Sequence, residues 1–352
     1  MADLAIAKDL VPWRTEVARD ERITKGAVMA LRARMALYRG GYSLRGKAGS
    51  LGTMQRSADY LKYYTIARDE CAALMLKRDQ HTLNPDFENI WRSLTSFKYD
   101  PAGEIMFEVG AGGGNSNSDS RQGNYNGIRT DQGNRYGPGG GGVIMLPTYY
   151  YAFDSVDTRK EVTVGTYRIP ANNIKAPQPL TGLTDGKYRR DWRVPLLPTG
   201  LNVGYNWALI RFSDVLLMFA EAENELNGAP TTAAKSALEE VRKRAFKGNE
   251  SRIAPIPGDK AGFFTAIMDE RFLEFGGEGI RKFDLIRWNK LAEKINPSTG
   301  EVRVKLRQLA AGTGEYSNVP QYLYYRNIGV AMSISVKVII MLPRKIKLYF
   351  FD

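Results

Sequence analysis

The stretch LIRFSDVLLMFAEAENELNG, residues 209–228, carries the strongest structural signal in this 352-residue chain. From Trp207 to Leu226 the apolar residues recur every three or four positions, which predicts an amphipathic helix. The apolar face is predicted to hold Phe212, Val215, Leu216, Phe219, Ala222 and Leu226, and the polar face Arg211, Asp214, Glu221 and Glu225. Asn227 and Gly228 provide a C-terminal stop, because glycine readily adopts the left-handed conformation that ends helices.

Further helices flank this one and pair with their neighbours along the chain. The predicted pairs are 22–39 with 57–78, 207–226 with 233–247, and 261–275 with 278–293. Two helices joined by a loop form a helical hairpin, the unit of tetratricopeptide-like arrays. Because a long irregular stretch separates the first pair from the second, we predict a mainly α fold in which an inserted lobe interrupts the hairpins.

The inserted stretch begins with a strand, EIMFEV at 104–109, and continues into a loop with twelve glycines at 110–142. Asn115 stands where a Gly-x-Gly-x-x-Gly phosphate motif needs its third glycine, so a nucleotide site is not expected. From 143 to 198 the chain is irregular, with a strand predicted at 162–169. The loop is either a mobile surface segment or a ligand-contacting one.

Tyrosine, asparagine and arginine side chains lie between these glycines and suit a polyhydroxylated ligand. An aromatic ring stacks on the apolar C–H face of a sugar, and amides and guanidinium groups hydrogen-bond its hydroxyls. The candidate ligand-binding residues are Tyr125, Asn126, Arg129, Tyr136, Tyr149 and Tyr150. If the loop contacts a ligand, a glycan is the class of ligand that these side chains suit.

Composition excludes several classes of protein. With one histidine and one cysteine the chain offers no multi-histidine zinc site and no disulfide framework. His81 follows a helix in a polar stretch, so we expect it to be solvated, and Cys71 to be a small buried residue. The net charge of +12 is spread along the chain without a nucleic-acid-binding motif, and no apolar run is long enough to span a membrane. No metal or cofactor is expected.

Two carboxylate pairs, Glu221 with Glu225 and Glu270 with Glu274, lie one helical turn apart. Carboxylates on one helix cannot flank a glycosidic bond from both sides, so we predict an ion-pair lattice between packed helices. A carbohydrate-active hydrolase remains the alternative, and its acids would come from separate loops: Asp131, Asp154 or Asp185. A helical adaptor that binds only protein is a third class.

Two segments resemble the signatures of the RagB/SusD family of outer-membrane nutrient-binding proteins. They are LIRFSDVLLMFAEAENELNG (209–228) and DERFLEFGGEGIRKFDLIRW (269–288), and residues 22–42 and 104–109 are similar to earlier parts of that family. The resemblance implies a SusD-like α fold and non-enzymatic binding of glycans or other nutrients. It also implies a surface-exposed lipoprotein of the cell outer membrane that delivers ligand to a SusC-like TonB-dependent transporter.

The resemblance also suggests how the chain is divided. We expect an N-terminal helical region at 1–100, an irregular ligand-binding lobe at 101–206, the helical signature region at 207–295 and an atypical tail at 296–352. Family members begin with a signal peptide, a lipobox cysteine and a further helical region that this sequence does not show. We therefore hypothesise an N-terminally truncated and C-terminally altered gene product.

Overall fold

A computed structural model describes residues 1–46, 52–112, 120–194, 196 and 200–319, and the backbone of 322–325 and 330–333. In these residues the α-helices are α1 (Ala2–Ala7), α2 (Lys25–Gly40), α3 (Tyr60–Met75), α4 (Phe87–Thr95), α5 (Pro147–Ala152), α6 (Lys160–Thr163), α7 (Phe212–Asn227), α8 (Thr232–Ala245), α9 (Lys260–Glu274), α10 (Arg281–Arg287), α11 (Leu291–Ile295) and α12 (Glu301–Ala311). None of the helices in these ranges is both long and apolar enough to cross a bilayer.

The strands are short and form two-stranded antiparallel sheets in the described residues. They are β1 (Ser43–Arg45), β2 (Thr53–Gln55), β3 (Ile105–Val109), β4 (Val164–Gly165), β5 (Tyr167–Arg168), β6 (Ala176–Pro177), β7 (Thr184–Asp185), β8 (Trp207–Arg211), β9 (Tyr322–Tyr325) and β10 (Val330–Ser333). The mainly α fold is therefore confirmed. The basic tail from 334 onward and the loop centre at 113–119 lie outside the described residues.

The helices α2, α3, α7, α8 and α9 share one hydrophobic core. Small buried side chains where they meet let the backbones approach closely: Ala30, Ala33, Ala36, Ala67, Cys71, Ala220 and Ala237. Cys71 is fully buried, as predicted, and burial raises the pKa of its thiol well above the usual value. The paired helices provide the framework on which the rest of the chain is built.

The helix predicted from residue 207 begins only at Phe212, because residues 207–211 form β8. This strand runs antiparallel to β3, with Arg211 opposite Ile105 and Trp207 opposite Val109. Burial alternates over its first four residues, since Ala208 and Ile210 are buried while Trp207 and Leu209 are half-buried. As a strand, residues 207–211 provide backbone hydrogen bonds to β3 that the same residues could not provide as a helical turn.

The polar face of α7 points into the protein and not into solvent. Arg211, Asp214 and Glu221 are all buried. Asp214 Oδ1 lies 2.5 Å from Arg271 Nη1, and its Oδ2 lies 2.7 Å from Arg34 Nη2. Burial alone would raise the pKa of Asp214, but these two guanidinium groups hold it well below its usual range. The signature helix therefore contributes charge pairs as well as apolar contacts to the interior.

The predicted ion-pair lattice exists, and it reaches further than the two helices. Glu274 accepts hydrogen bonds from Arg159 at 3.0 Å, Arg211 at 2.8 Å and Arg244 at 2.6 Å, and Glu270 pairs with Arg159 at 2.6 Å. Burial opposes ionisation of Glu274, but the three arginines hold its pKa well below the usual value. Arg159 is the N-cap residue of α6, and Arg211 is the last residue of β8. The lattice therefore connects the lobe to the helical framework.

Several helices were not predicted from the sequence, and α4 and α12 are the two longest of them. In α4 the Asp86 side chain caps the N-terminus by accepting a hydrogen bond from Glu88 N at 2.9 Å. In α12, which lies in the tail expected to be irregular, Gly312 ends the helix with φ of 64°. Only Leu306 and Leu309 are buried in α12, so its apolar stripe is too narrow to give a clear periodic signal.

His81 was expected to be solvated, and this prediction is wrong. The side chain is fully buried, with Nδ1 at 2.8 Å from Gly103 O and the ring stacked on Phe212 at 6.4 Å between centroids. The space it fills depends on Gly26, because a Cβ there would overlap the imidazole ring. Burial lowers the pKa of His81 to about 4.

This burial predicts a loss of stability in mild acid. Between the ordinary pKa of 6.5 and about 4, the unfolded chain binds a proton at His81 that the folded chain excludes. As the pH falls through that interval, the free energy of unfolding should drop by up to ~3 kcal/mol from this group. Urea unfolding of wild type and His81→Gln at neutral pH and near pH 5 tests it. An identical pH-dependent loss in both proteins would contradict the prediction.

Candidate functional site

The glycine-rich segment is joined to the rest of the lobe by isolated β-bridges. Thr130 exchanges two backbone hydrogen bonds of 2.9 Å with Gly139, and Asp131 N donates to Ile169 O at 2.9 Å. Beneath these segments Ile128, Tyr167 and Ile169 form a small buried cluster. Three stretches of chain, 128–131, 137–141 and 167–169, are thereby held side by side.

Close backbone approach explains two of the glycines. A Cβ at Gly139 would lie 2.7 Å from Thr130 Oγ1, which is too close for any other residue. Gly141 has φ of +56°, and a Cβ there would lie 3.0 Å from Arg129 N. In residues 120–142 the glycine content therefore serves a hydrogen-bonded loop with a specific backbone path.

The loop borders an open groove with a volume of about 510 Å³. Five of its lining residues are polar and four are Gly, Pro or Leu: the full set is Asn124, Arg129, Thr130, Asp131, Gln132, Pro138, Gly139, Gly140 and Leu201. Arg129 and Arg168 both pair with Asp131, at 3.3 and 2.7 Å, respectively. Asn124 accepts a hydrogen bond from Gly140 N at 3.0 Å, which fixes the edge of the groove. We call this feature the lobe groove.

Three of the residues predicted to bind ligand lie at or beside the lobe groove. Arg129 lines it, and its side chain is 59% exposed. Tyr125 follows the lining residue Asn124, is 51% exposed and lies within 3.4 Å of Arg121 through its hydroxyl. Tyr136 is half-buried and packs against the buried cluster of Ile128, Tyr167 and Ile169. Their side chains combine a free aromatic face with hydrogen-bond donors.

Asn126 lies beneath the surface. Its Nδ2 donates to Asp185 Oδ2 at 2.8 Å, and both side chains are buried. Burial raises the pKa of Asp185, partly offset by the hydrogen bonds from Asn126 and from Lys187 N. Asn126 therefore supports the loop from below in this structure, and its Nδ2 is directed away from the lobe groove.

Tyr149 and Tyr150 lie in a separate hydrophobic cluster, away from the lobe groove. Tyr149 is 6% exposed, donates to Leu273 O at 3.1 Å and packs edge-on against Phe272. A Cβ at Gly276 would overlap its hydroxyl, so the glycine pair of the second signature segment makes room for this ring. Tyr150 is 5% exposed. The structure does not bring these two residues together with the other four.

The three carboxylates considered for hydrolysis lie in three different environments. Asp131 is at the lobe groove, Asp154 pairs with Arg252 at 2.8 Å, and Asp185 is completely buried. Asp131 is the single carboxylate among the described residues that line the lobe groove. No group of three or more histidine, cysteine, aspartate or glutamate residues that could hold a metal occurs in the described part of the chain.

Sequence reasoning missed Arg168 and Arg190, which help to build the lobe groove. The strand predicted at 162–169 is only partly correct, since residues 160–163 form α6 and the strands there are the two-residue β4 and β5. Arg168 ends β5 and lies half-buried between the buried residues Tyr167 and Ile169. Arg190 is buried and donates to three backbone carbonyls, at Tyr136, Pro138 and Gly200. No sequence pattern marks such a contact, because its partners are main-chain atoms distant along the chain.

Fold and groove together define a mainly α protein in which helical hairpins carry a loop-built lobe with an open polar groove. The model of the SusD family matches residues 181–327 of this chain, which include both signature segments. Together with the relatives below, this match supports the resemblance to the SusD/RagB family that the sequence showed.

Sequence relatives match over a limited stretch. The chain is 44% identical to SusD-like protein P25 of Formosa agariphila over 91 residues, which is 26% of this chain and 16% of that protein. It is 37% identical to SusD-like protein P38 of the same organism over 99 residues, or 19% of that protein. The alignments therefore cover under one fifth of the length of these curated relatives.

Solved structures share the fold over most of the chain. A SusD homolog from Bacteroides thetaiotaomicron superposes with a TM-score of 0.73 and 22% identity, covering 96% of this chain and 64% of that one. Surface glycan-binding protein A from the same organism, solved in complex with laminarihexaose, superposes with a TM-score of 0.61 and 20% identity. The superposition covers 89% of this chain and 67% of that one. At these identities the likeness establishes the SusD-like α fold.

Proposed function

We propose that this chain is a non-enzymatic glycan-binding protein whose ligand site is the lobe groove, within a binding lobe at 101–206. The observation that carries the proposal is the groove itself, which exposed Arg129 lines and whose lining residue Asn124 is followed by exposed Tyr125, on a SusD-like framework. Support comes from the structural neighbours named as surface glycan-binding proteins, one of them solved with laminarihexaose.

The groove suits recognition of a sugar chain. Its open form admits a polymer along its length, unlike an enclosed pocket that would accept only a chain end. The ring of Tyr125 offers a face for stacking, and Gln132 and Arg129 offer donors to hydroxyl groups. Such shallow sites bind through several modest contacts, each of which must offset the cost of immobilising a flexible ligand.

The arrangement of carboxylates favours binding without cleavage. A glycosidase needs two carboxylates about 5–10 Å apart across the scissile bond. At the lobe groove Asp131 is flanked by Arg129 and Arg168, which hold it as an ion-paired group. Neither Asp154 nor Asp185 lines the same surface.

Affinity electrophoresis in gels with dissolved polysaccharides tests binding and cleavage together. We expect at least one polysaccharide to retard the wild-type protein without releasing reducing ends. Tyr125→Ala should weaken binding about tenfold, because a stacked ring contributes ~0.5–1.5 kcal/mol beyond the area it buries. Released reducing ends would instead support the hydrolase alternative.

Phe283→Ala is a matched control for Tyr125→Ala. Phe283 is also 51% exposed, but it lies on α10 of the helical framework. The control variant should bind as the wild type does. Equal loss of binding in both variants would show that the effect is not local to the lobe groove and would overturn this assignment of the site.

We also propose that the protein acts at the surface of the outer membrane and hands its ligand to a SusC-like TonB-dependent transporter. This step rests on the similarity of residues 181–327 to the SusD family. Co-purification of the tagged protein with a TonB-dependent β-barrel from native membranes tests it. If the protein purifies without such a barrel from cells growing on the bound glycan, the delivery step is refuted.

A further inference from the structure

Positive charge dominates the rim of the lobe groove. Arg121, Arg129 and Arg135 are exposed and Arg168 is half-exposed, while Asp131 is the acidic residue among the groove's described lining. Arg121 contacts Tyr125, which follows the lining residue Asn124, and Arg135 lies over the ring of Tyr136 at 4.7 Å, two residues before the lining residue Pro138. Within the described residues neither of them forms an ion pair with a carboxylate.

The guanidinium groups that do pair with Asp131 keep most of their donors available. Arg129 uses its Nε, at 3.3 Å from Oδ1, and Arg168 uses one Nη, at 2.7 Å from Oδ2. Each guanidinium carries five N–H donors in a planar fork, so the remaining groups can receive a further oxyanion. Asp131 thus holds two arginines side by side at the edge of the groove.

A buried cation lies directly under the same surface. Arg190 is 3% exposed, and its three nitrogens donate to backbone carbonyls of Tyr136, Pro138 and Gly200 at 2.8–2.9 Å. A Cβ at the groove residue Gly139 would lie 3.3 Å from Arg190 Cδ. In the described residues no carboxylate pairs with this guanidinium, so its charge acts through the floor of the groove in a region of low dielectric.

From this placement of charge we propose that the lobe groove selects anionic glycans, whose carboxylate or sulfate groups bind Arg129, Arg135 and Arg168 while a sugar ring stacks on Tyr125. This inference rests on the proposed glycan-binding function and adds the chemical class of the ligand. Planar bidentate contacts between arginine and oxyanions are stronger than hydrogen bonds between neutral groups. A neutral glucan offers hydroxyls only and would leave the positive charge of the groove uncompensated.

Calorimetric titration with three oligosaccharides of equal length tests the proposal. The probes are an oligogalacturonate for carboxylates, a carrageenan oligosaccharide for sulfates, and laminarihexaose as the neutral reference. At a salt concentration of about 150 mM, where distant charges are screened, we expect at least one anionic probe to bind ~10-fold or more tightly than laminarihexaose. The stronger of the two anionic probes identifies the oxyanion.

A basic protein attracts polyanions over its whole surface, so the variants must separate the site from the net charge. The double variant Arg129→Gln with Arg135→Gln should weaken anionic binding by ~10-fold or more. Lys62→Gln with Lys247→Gln removes the same charge from exposed positions outside the lobe, on α3 and in the turn after α8, and should leave affinity nearly unchanged.

Each result is decisive for one of the two proposals. Equal affinity for laminarihexaose and the anionic probes, or an equal loss in both double variants, would overturn selection of anions by the groove and leave glycan binding intact. If none of these probes and no polysaccharide in the electrophoresis panel binds, the proposed glycan-binding function itself fails.

Discussion

Replacing Arg211 with methionine should lower the free energy of unfolding by about 3–5 kcal/mol, a large part of the stability of an ordinary domain. The guanidinium is 1% exposed and donates to Glu104 at 2.6 Å, Glu274 at 2.8 Å and both carboxylate oxygens of Glu278 at 2.8 Å. Its loss leaves Glu278 with Lys187 as its partner in the lattice. Burying an incompletely compensated carboxylate costs more than the methionine side chain regains.

The pH dependence of the loss separates uncompensated charge from altered packing. Burial already raises the pKa of Glu104, and loss of the Arg211 charge, which opposes that rise, should move this pKa further above its value in the unfolded chain. The folded variant then holds protons that the unfolded chain releases as the pH rises. Stability lost by the variant should therefore be larger at pH 8 than at pH 5. A loss that is the same at both pH values would point to packing alone.

Arg252→Met is the matched control for Arg211→Met. Arg252 pairs with Asp154 at 2.8 Å, but its side chain is 50% exposed. Exposed pairs contribute ~1 kcal/mol or less, so urea unfolding of this variant should nearly coincide with that of the wild type. Similar unfolding curves for the two variants would contradict a structural role for the buried lattice.

Replacing Trp91 with alanine should cost about 3–5 kcal/mol, for a different physical reason. Trp91 is fully buried in the core between α4 and the lobe. Its ring lies edge-on to Phe87 at 6.0 Å and to Tyr188 at 5.6 Å, and Lys187 Nζ lies 4.6 Å from its centroid. Truncation removes these contacts and leaves a cavity that the surrounding aromatic residues cannot fill.

Trp91→Phe provides the control because it keeps an aromatic ring in the same place. We expect it to cost less than about 2 kcal/mol, with the same urea dependence as the wild type. Chemical denaturation followed by far-UV circular dichroism measures both variants. Equal destabilisation by alanine and phenylalanine would mean that the cavity is not the source of the effect.

Part of the candidate site was predictable from composition. Tyr125, Arg129 and Tyr136 stand between glycines, and the structure places them at or beside the lobe groove. Tyr149 has the same local character, yet its ring is buried against Phe272 because a glycine far along the chain leaves room for it. Whether any of the predicted residues binds a glycan stays a prediction for the electrophoresis and calorimetry to decide.

The sequence by itself determined the helical framework of this protein. In α2, α3, α7, α8 and α9 the apolar residues repeat at the helical period over many turns, and capping residues mark several of the ends. Such signals are local, since each residue within a helix interacts with neighbours three or four positions away. The two signature segments were recognisable for the same reason, because each lies within one continuous stretch.

Only the tertiary structure decided where the charged residues lie and how the groove is formed. The sequence predicts Asp214 to lie on the polar face of a helix. Arg34 and Arg271, which are distant in sequence, pair with its carboxylate and allow it to be buried. Residues 207–211 form a strand because β3 is there to pair with them. Arg190 likewise meets carbonyls that reach it only after the loops have folded. Compensation of buried charge and pairing of strands depend on partners that no local pattern can specify.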